Sequence, residues 1–215
     1  MDLFYYVLLA FTSVGSASLV AGELCLKPKD AKAGLIYLHG LDDNIPGNQE
    51  LRNRKTLKHI SKTLGVAIYA HRSQITCKRY NKKCWLHSTP QQRTQAWNKI
   101  LPKAKACFAE TPVTLLLGFS NGAYLAAKLF EDCLVPSNVV TVFSGGMGSK
   151  APPWNKPSCK RGKIIGMIGK GDQIKAKAER YIQNAKKAGQ DARLLLHKGG
   201  HEILAPPLSQ IITQH

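Results

Sequence analysis

The chain has 215 residues, 44% of them hydrophobic, which is enough apolar content for one sizeable core and excludes both a disordered chain and a disulfide-held miniprotein. Its 31 Lys and Arg against 13 Asp and Glu give a formal net charge of +18, a balance that attracts anionic lipid surfaces, acidic glycans or nucleic acid without dictating a fold or a chemistry. The cations run through the whole chain and no zinc-finger or RNP motif accompanies them, so no specific nucleic-acid partner is expected and a solvated basic surface is the simplest reading.

From the N-terminus, Leu3 to Val20 is first apolar and then small and polar through Thr12, Ser13, Gly15, Ser16 and Ser18, the pattern of a signal peptide with a cut near Val20-Ala21-Gly22. Met1 to Tyr6 carries Asp2 and no Lys or Arg, which leaves an uncleaved anchor as the alternative; with cleavage no stable membrane insertion follows. The expected organisation is a leader over 1–22 and one domain over 23–215, in a secreted or periplasmic protein. The cysteines agree: Cys25, Cys77, Cys84, Cys107, Cys133 and Cys159 all follow the cut and are even in number. Six cysteines allow 15 pairings, and proximity favours only Cys77 with Cys84, across a short Lys-rich loop. None has zinc-ligand spacing, so no metal is expected.

Beyond the leader, six short apolar runs, Gly34 to Leu38, Val66 to Ala70, Val113 to Leu117, Val139 to Phe143, Lys163 to Ile168 and Ala192 to Leu196, alternate with amphipathic stretches. That alternation predicts an α/β fold: about six mostly parallel strands with helices on both faces. Between the first two runs, Leu57, Ile60 and Leu64 recur at helical spacing with Lys and Arg on the other faces. Thr89-Pro90 is a helix start followed by Trp97, Ile100, Leu101 and Ala104 at core spacing, with Pro102 expected to kink or split the helix. Helical spacing returns at Leu125, Ala126, Leu129 and Phe130, then at Ile174, Ala178, Tyr181, Ile182 and Ala185, and a last helix is expected from near Pro207. Two long loops, 71–88 and 144–162, interrupt the alternation, and long loops in compact domains are often functional.

Gly118-Phe119-Ser120-Asn121-Gly122 fits G-x-S-x-G. The pattern alone is weak, but here it joins a hydrophobic strand to a helix, the setting of a nucleophile elbow, where Gly118 and Gly122 relieve crowding in a tight turn. A serine needs a base, and the base needs an orienting acid. In the order Ser, acid, His that such elbows require, Asp172 follows the fifth run and His201 the sixth, both just past strand ends. Asp172 as a plain helix cap and His201 as a surface histidine are the bland alternatives. Glu179 lies within a helix and Asp191 before a strand, so neither rivals Asp172. Oxyanion donors are assigned to the amides of Leu41, after Leu38-His39-Gly40, and of Asn121. His39 is expected to be structural, its ring bonding to loop backbone; His71 and His87 are expected to be loop or surface residues. Phe119 and Met147 are candidates for the substrate pocket.

Leu38-His39-Gly40-Leu41, Gly118 to Ala123, Gly171-Asp172 and Gly200-His201 together resemble the small carboxylesterases of the α/β-hydrolase superfamily, most nearly the phospholipase/carboxylesterase and acyl-protein thioesterase group, with polyhydroxybutyrate depolymerase-like and feruloyl esterase-like enzymes nearby. The resemblance spans residues 34–204. It implies cofactor-free cleavage of carboxylic esters or thioesters through an acyl-enzyme by Ser120, Asp172 and His201. Trp85 is similar to a tryptophan those esterases carry beside the acyl pocket, while a buried core position suits it equally. The chain lacks room for two extra N-terminal strands, leaving a minimal α/β-hydrolase fold, and its Pro-rich segment after the fourth strand is too short for a full lid. Paired cysteines and high positive charge are unlike cytosolic thioesterases and favour an ester met outside the cytoplasm, with an anionic or surface-associated one among the expected substrates. A peptidase or amidase on the same triad, a thioesterase and a non-catalytic binder of anionic surfaces are the alternatives.

Overall fold

A computed structural model describes residues 22–43, 46–150, 152, 154 and 159–215; the expected leader lies, but for Gly22, outside them. Chain order is β1 (Leu24–Leu26), β2 (Gly34–Leu38), α1 (Asn48–Leu64), β3 (Ala67–His71), β4 (Thr76–Cys77), β5 (Lys82–Lys83), α2 (Pro90–Phe108), β6 (Val113–Phe119), α3 (Asn121–Glu131), β7 (Val140–Ser144), β8 (Ile164–Gly169), α4 (Lys175–Lys187), β9 (Ala192–His197) and α5 (Ala205–Thr213). The main sheet has seven strands in the order β1-β3-β2-β6-β7-β8-β9. All six runs read from the sequence are its parallel strands. The seventh, β1, was not expected: it is three residues long, too short to show a period, and pairs antiparallel with β3 at the sheet edge.

Side chains alternate across a strand, and the two faces bury different partners. Leu35 and Tyr37 of β2 join Leu57 and Ile60 of α1 and Leu208 and Ile211 of α5 on one side. Ile36 and Leu38 join Trp97 and Ile100 of α2 and Leu125 and Leu129 of α3 on the other, with α4 continuing that layer through Ala178, Tyr181 and Ile182. Each fully buried Leu or Ile contributes on the order of 1.5–3 kcal/mol, so both layers clamp the sheet.

Local signals set the helix limits. Gly65, at φ 65°, ends α1 in the left-handed region where a side chain is disfavoured. Thr89 and Gln92 form a reciprocal capping box at the start of α2. Of the kink or split expected at Pro102, the split does not occur: α2 runs through it unbroken. The carbonyl it leaves without a donor belongs to Asn98, an exposed residue that water can reach, while Trp97, Ile100 and Ala104 hold both sides of the break in the core. The last helix starts at Ala205, close to the expected Pro207.

The loop 71–88 folds into the ribbon β4–β5, closed by Cys77–Cys84. Cys25 pairs with Cys107, tying β1 to α2, and Cys133 with Cys159. Between β7 and β8 the described residues contain no helix. That segment is fastened to α3 by the buried Glu131, which accepts the Ser149 amide at 2.7 Å and its hydroxyl at 2.5 Å. Burial pushes the Glu131 carboxyl above its usual range, against the pull of those donors. No helix among the described residues is long and apolar enough to cross a membrane.

Strand order reverses between β2 and β6: β3 lies to one side of β2, while β7, β8 and β9 extend from the other side of β6. In open α/β sheets the crevice past the carboxyl ends at such a switch point is where ligands bind. Here Leu38 pairs with Gly118 at those ends, which places Gly40-Leu41 and Ser120 there.

Candidate active site

Ser120 joins β6 to α3 at φ 51° and ψ −115°, a conformation rare for a side-chain-bearing residue and costing on the order of 1–3 kcal/mol. The turn is held by the Ser120 amide donating to the Ser144 carbonyl at 2.8 Å and by the Ala123 amide donating to the Ser120 carbonyl at 3.0 Å. Both glycines are obligatory by close approach. A Cβ at Gly118 would lie 2.3 Å from the Gly122 carbonyl oxygen, and one at Gly122 would lie 2.3 Å from that of Leu38.

His201 follows β9 in a turn where the Glu202 carboxylate accepts the Gly200 amide at 3.2 Å. Its Nδ1 lies 3.0 Å from Asp172 Oδ2, with side-chain exposures of 46% and 3%. The carboxylate is thus sheltered while the imidazole reaches solvent. The other carboxylate oxygen of Asp172, Oδ1, accepts the Ile174 amide at 3.0 Å just before α4. Glu179 pairs with Lys175 and Asp191 with Lys163, away from the imidazole.

Gly145 and Gly146, after β7, bring the two halves together. A Cβ at Gly145 (φ 67°) would lie 2.6 Å from the His201 ring, and one at Gly146 would lie 2.9 Å from the Ser120 carbonyl oxygen. No motif marked these two glycines; only the folded chain places them between Ser120 and His201.

On the opposite side, Gly40 packs so near Ser120 that a Cβ there would be 3.0 Å from the serine Cβ. His39 fixes this loop, as expected. The Ser73 amide donates to its Nε2 at 3.0 Å, which leaves Nδ1 to donate to the Gly40 carbonyl at 2.5 Å. Burial holds the His39 imidazole down to about 4, only partly opposed by its bond to Gly40, so it stays neutral. Asp42, next to Leu41, accepts the Gly47 amide at 2.8 Å and pairs with Arg72 at 3.3 Å. Among the described residues, the amides of Leu41 and Asn121 donate no hydrogen bond.

The Asn121 side chain has a task the sequence did not reveal. Its Oδ1 accepts the Trp85 amide at 2.6 Å and its Nδ2 lies 3.3 Å from His87 Nε2. Trp85 is buried and donates Nε1 to the His39 carbonyl at 2.9 Å; it also walls a cavity of about 420 Å³ shared with Ile75, Leu86 and Pro102. Phe119 is buried, its ring centroid 4.9 Å from that of His201. Met147 lines a separate cleft of about 430 Å³ with Lys150, Lys177 and Arg180.

His71 departs from expectation, while His87 lies in a loop as expected but is not free of partners. His71 is buried at the end of β3, 2.8 Å from the Tyr69 hydroxyl and 3.1 Å from Glu23. His87 is partly buried, stacked on Tyr124 and 3.3 Å from Lys128 Nζ. Burial lowers each to about 4; for His71 the Glu23 carboxylate opposes this, for His87 the Lys128 cation adds to it. Glu23 for His71, and Tyr124 and Lys128 for His87, are remote in sequence, so no local pattern could have exposed these contacts. Among the described residues no cluster of His, Cys, Asp or Glu could hold a metal ion.

Residues 55–214 match the family described as Serine hydrolase (FSH1). The chain belongs to this serine hydrolase family. The match runs from α1 to α5 and takes in Ser120, Asp172 and His201. No curated protein sequence matches the hydrolase. Among solved structures it is similar to the Bacillus cereus carboxylesterase, with 17% identity, TM-score 0.61 and coverage of 89% of this chain and 92% of that one. It is likewise similar to Arabidopsis thaliana SOBER1, with 16% identity, TM-score 0.62 and coverage of 85% and 97%, and to esterase PE8, with 18% identity, TM-score 0.58 and coverage of 90% and 96%. At these identities the likeness is one of fold.

Proposed function

We propose that this serine hydrolase cleaves carboxylic esters through an acyl-enzyme, with Ser120 as nucleophile, His201 as base and Asp172 as its positioning acid. The observation that carries the reading is the 3.0 Å bond between His201 Nδ1 and a sheltered Asp172 carboxylate, at the sheet edge where Ser120 occupies a strained strand-to-helix turn. With Nδ1–H donated to Asp172, Nε2 carries the free lone pair and takes the Ser120 proton as Oγ attacks the acyl carbon. The amides of Leu41 and Asn121, unengaged and anchored by His39 and by the Asn121 side chain, receive the oxyanion. His201 then returns the proton to the departing alkoxide, the acyl group stays on Ser120, and a water activated by His201 releases it. No cofactor enters this scheme.

An ester met outside the cytoplasm, by a secreted or periplasmic enzyme, is favoured by the pairing of all six cysteines. The reading is tested by labelling with a serine-directed phosphonate, followed by a panel of esters of increasing acyl length beside matched amides and thioesters. Labelling and ester turnover are both expected to vanish in Ser120→Ala while its free energy of unfolding stays within about 1 kcal/mol of the parent's. Full activity in that variant, or turnover of amides alone, overturns the proposal.

A further inference from the structure

Large apolar side chains standing in solvent are unevenly placed on this molecule. Leu41, Ile75, Tyr80 and Leu86 are exposed by 36–48%, and all lie on the segment 75–86 or on the loop it bridges. Leu51, on α1, is the other large apolar residue exposed to this degree among those described. The same segment carries Lys78, Arg79, Lys82 and Lys83. Lys82 pairs with Asp43 and Lys83 donates to the Gln74 carbonyl. Among the described residues Lys78 and Arg79 face no carboxylate, and the Arg79 guanidinium sits 5.3 Å from the centre of the Tyr80 ring.

This ribbon is firmly joined to the site. Lys83 and Asp42 exchange main-chain hydrogen bonds of 2.6 and 3.1 Å, adjacent to Leu41. Trp85, one residue past Cys84, bonds to both Asn121 and the His39 carbonyl. Cys77–Cys84 closes the ribbon itself. Whatever the ribbon tip touches is therefore held at the rim of the crevice containing Ser120.

We propose that the ribbon β4–β5 docks the enzyme on an anionic phospholipid surface, with Lys78 and Arg79 contacting the headgroups and Tyr80, Ile75 and Leu86 entering the interface. The proposal rests on the ester-hydrolase reading only for what the docked site then does, which is to meet an ester presented at that surface. A soluble polyanion would draw on the cations and leave the exposed Tyr80 ring, which lines no cavity described above, without a contact; a neutral surface would take the apolar residues and waste the cations. An anionic lipid interface uses both, and a tyrosine ring, apolar with a polar tip, suits its boundary. Each Lys or Arg near such a surface contributes about 1 kcal/mol, a factor of about 5 in affinity.

Co-sedimentation of the full protein with phosphatidylcholine vesicles, with and without phosphatidylglycerol, tests this. Binding is expected only to the phosphatidylglycerol vesicles, weakening as salt screens it. Lys78→Gln with Arg79→Gln should lower the affinity about 30-fold, and Tyr80→Ser should weaken binding at unchanged charge. Equal binding to neutral vesicles, or binding indifferent to both variants, overturns the proposal. So does heparin binding that rivals vesicle binding and is unaffected by Tyr80→Ser, since that identifies a polyanion partner. Ser120→Ala separates the two claims: it should bind vesicles like the parent while losing turnover. A parent that binds but hydrolyses no ester refutes the catalytic reading alone, and one that hydrolyses dissolved ester without binding refutes the docking alone.

Discussion

Acid should weaken this hydrolase through His39 in particular. Both ring nitrogens are committed: Nε2 accepts the Ser73 amide and Nδ1 donates to Gly40. Protonation would set a new N–H against that of Ser73 inside a site where the residue is only 1% exposed. Burial is the main cause that holds the folded His39 down to about 4, against an ordinary value of 6.5. Between these values the unfolded chain binds the proton and the folded chain does not, so stability rises with pH. The contribution is complete above about 6.5 and is lost as pH falls through about 4. A difference of about 2.5 units corresponds to about 3 kcal/mol, a sizeable share of the 5–15 kcal/mol typical of a domain. His71 and His87 shift the same way, so a falling midpoint alone does not isolate His39. Urea unfolding of the parent and of His39→Gln at a series of pH values does. The variant, with an amide that can reproduce one bond and no proton to gain, should be less stable at pH 7 and should show a shallower decline toward pH 4, the two curves converging by about 3 kcal/mol. Parallel curves would refute the assignment of a neutral, doubly bonded His39.

Asp172→Asn keeps the Ile174 cap yet turns an NH2 or a neutral oxygen toward His201, so kcat should fall about 10⁴-fold with KM little changed because the side chain is sheltered from substrate; an unaltered kcat removes Asp172 from the mechanism. Gly122→Ala should cost about 3 kcal/mol and most of the activity, as its Cβ would meet backbone oxygens of Leu38 and His39 at 2.3 and 2.5 Å that cannot swing aside; thermal unfolding and ester turnover read both. Replacing Cys25 and Cys107 by Ser opens a link across 82 residues of sequence and should lower stability by about 4 kcal/mol in urea. Thiol titration of the unfolded, unreduced parent should find none free in this pair; finding both reduced would refute the linkage.

The meeting of Ser120, Asp172 and His201 at one sheet edge could be read from the chain because each follows a short apolar run within a few residues. In a parallel sheet every such run ends at the same edge, so sequence order carries spatial information there. The strand-to-helix context of Gly118 to Gly122 was local in the same way, as was the αL glycine that ends α1. That Pro102 leaves α2 unsplit was not legible because its cost depends on where the orphaned carbonyl points, and exposure is not written in a local pattern. β1 escaped because three residues show no period and gain their place from β3 and a cystine partner.

What the sequence by itself determined is the ordered set of parallel strands, the strand-to-helix turn at Ser120 and the place of Asp172 and His201 just past strand ends, since these rest on neighbours a few residues apart. The tertiary structure alone decided two of the three disulfides, the neutral state of His39, His71 and His87, the wedge of Gly145 and Gly146, and the anchoring of Asn121 and Leu41 by the ribbon around Trp85. Each of these depends on contacts between segments remote in the chain, where burial and close approach set the energies and no periodicity records the partner.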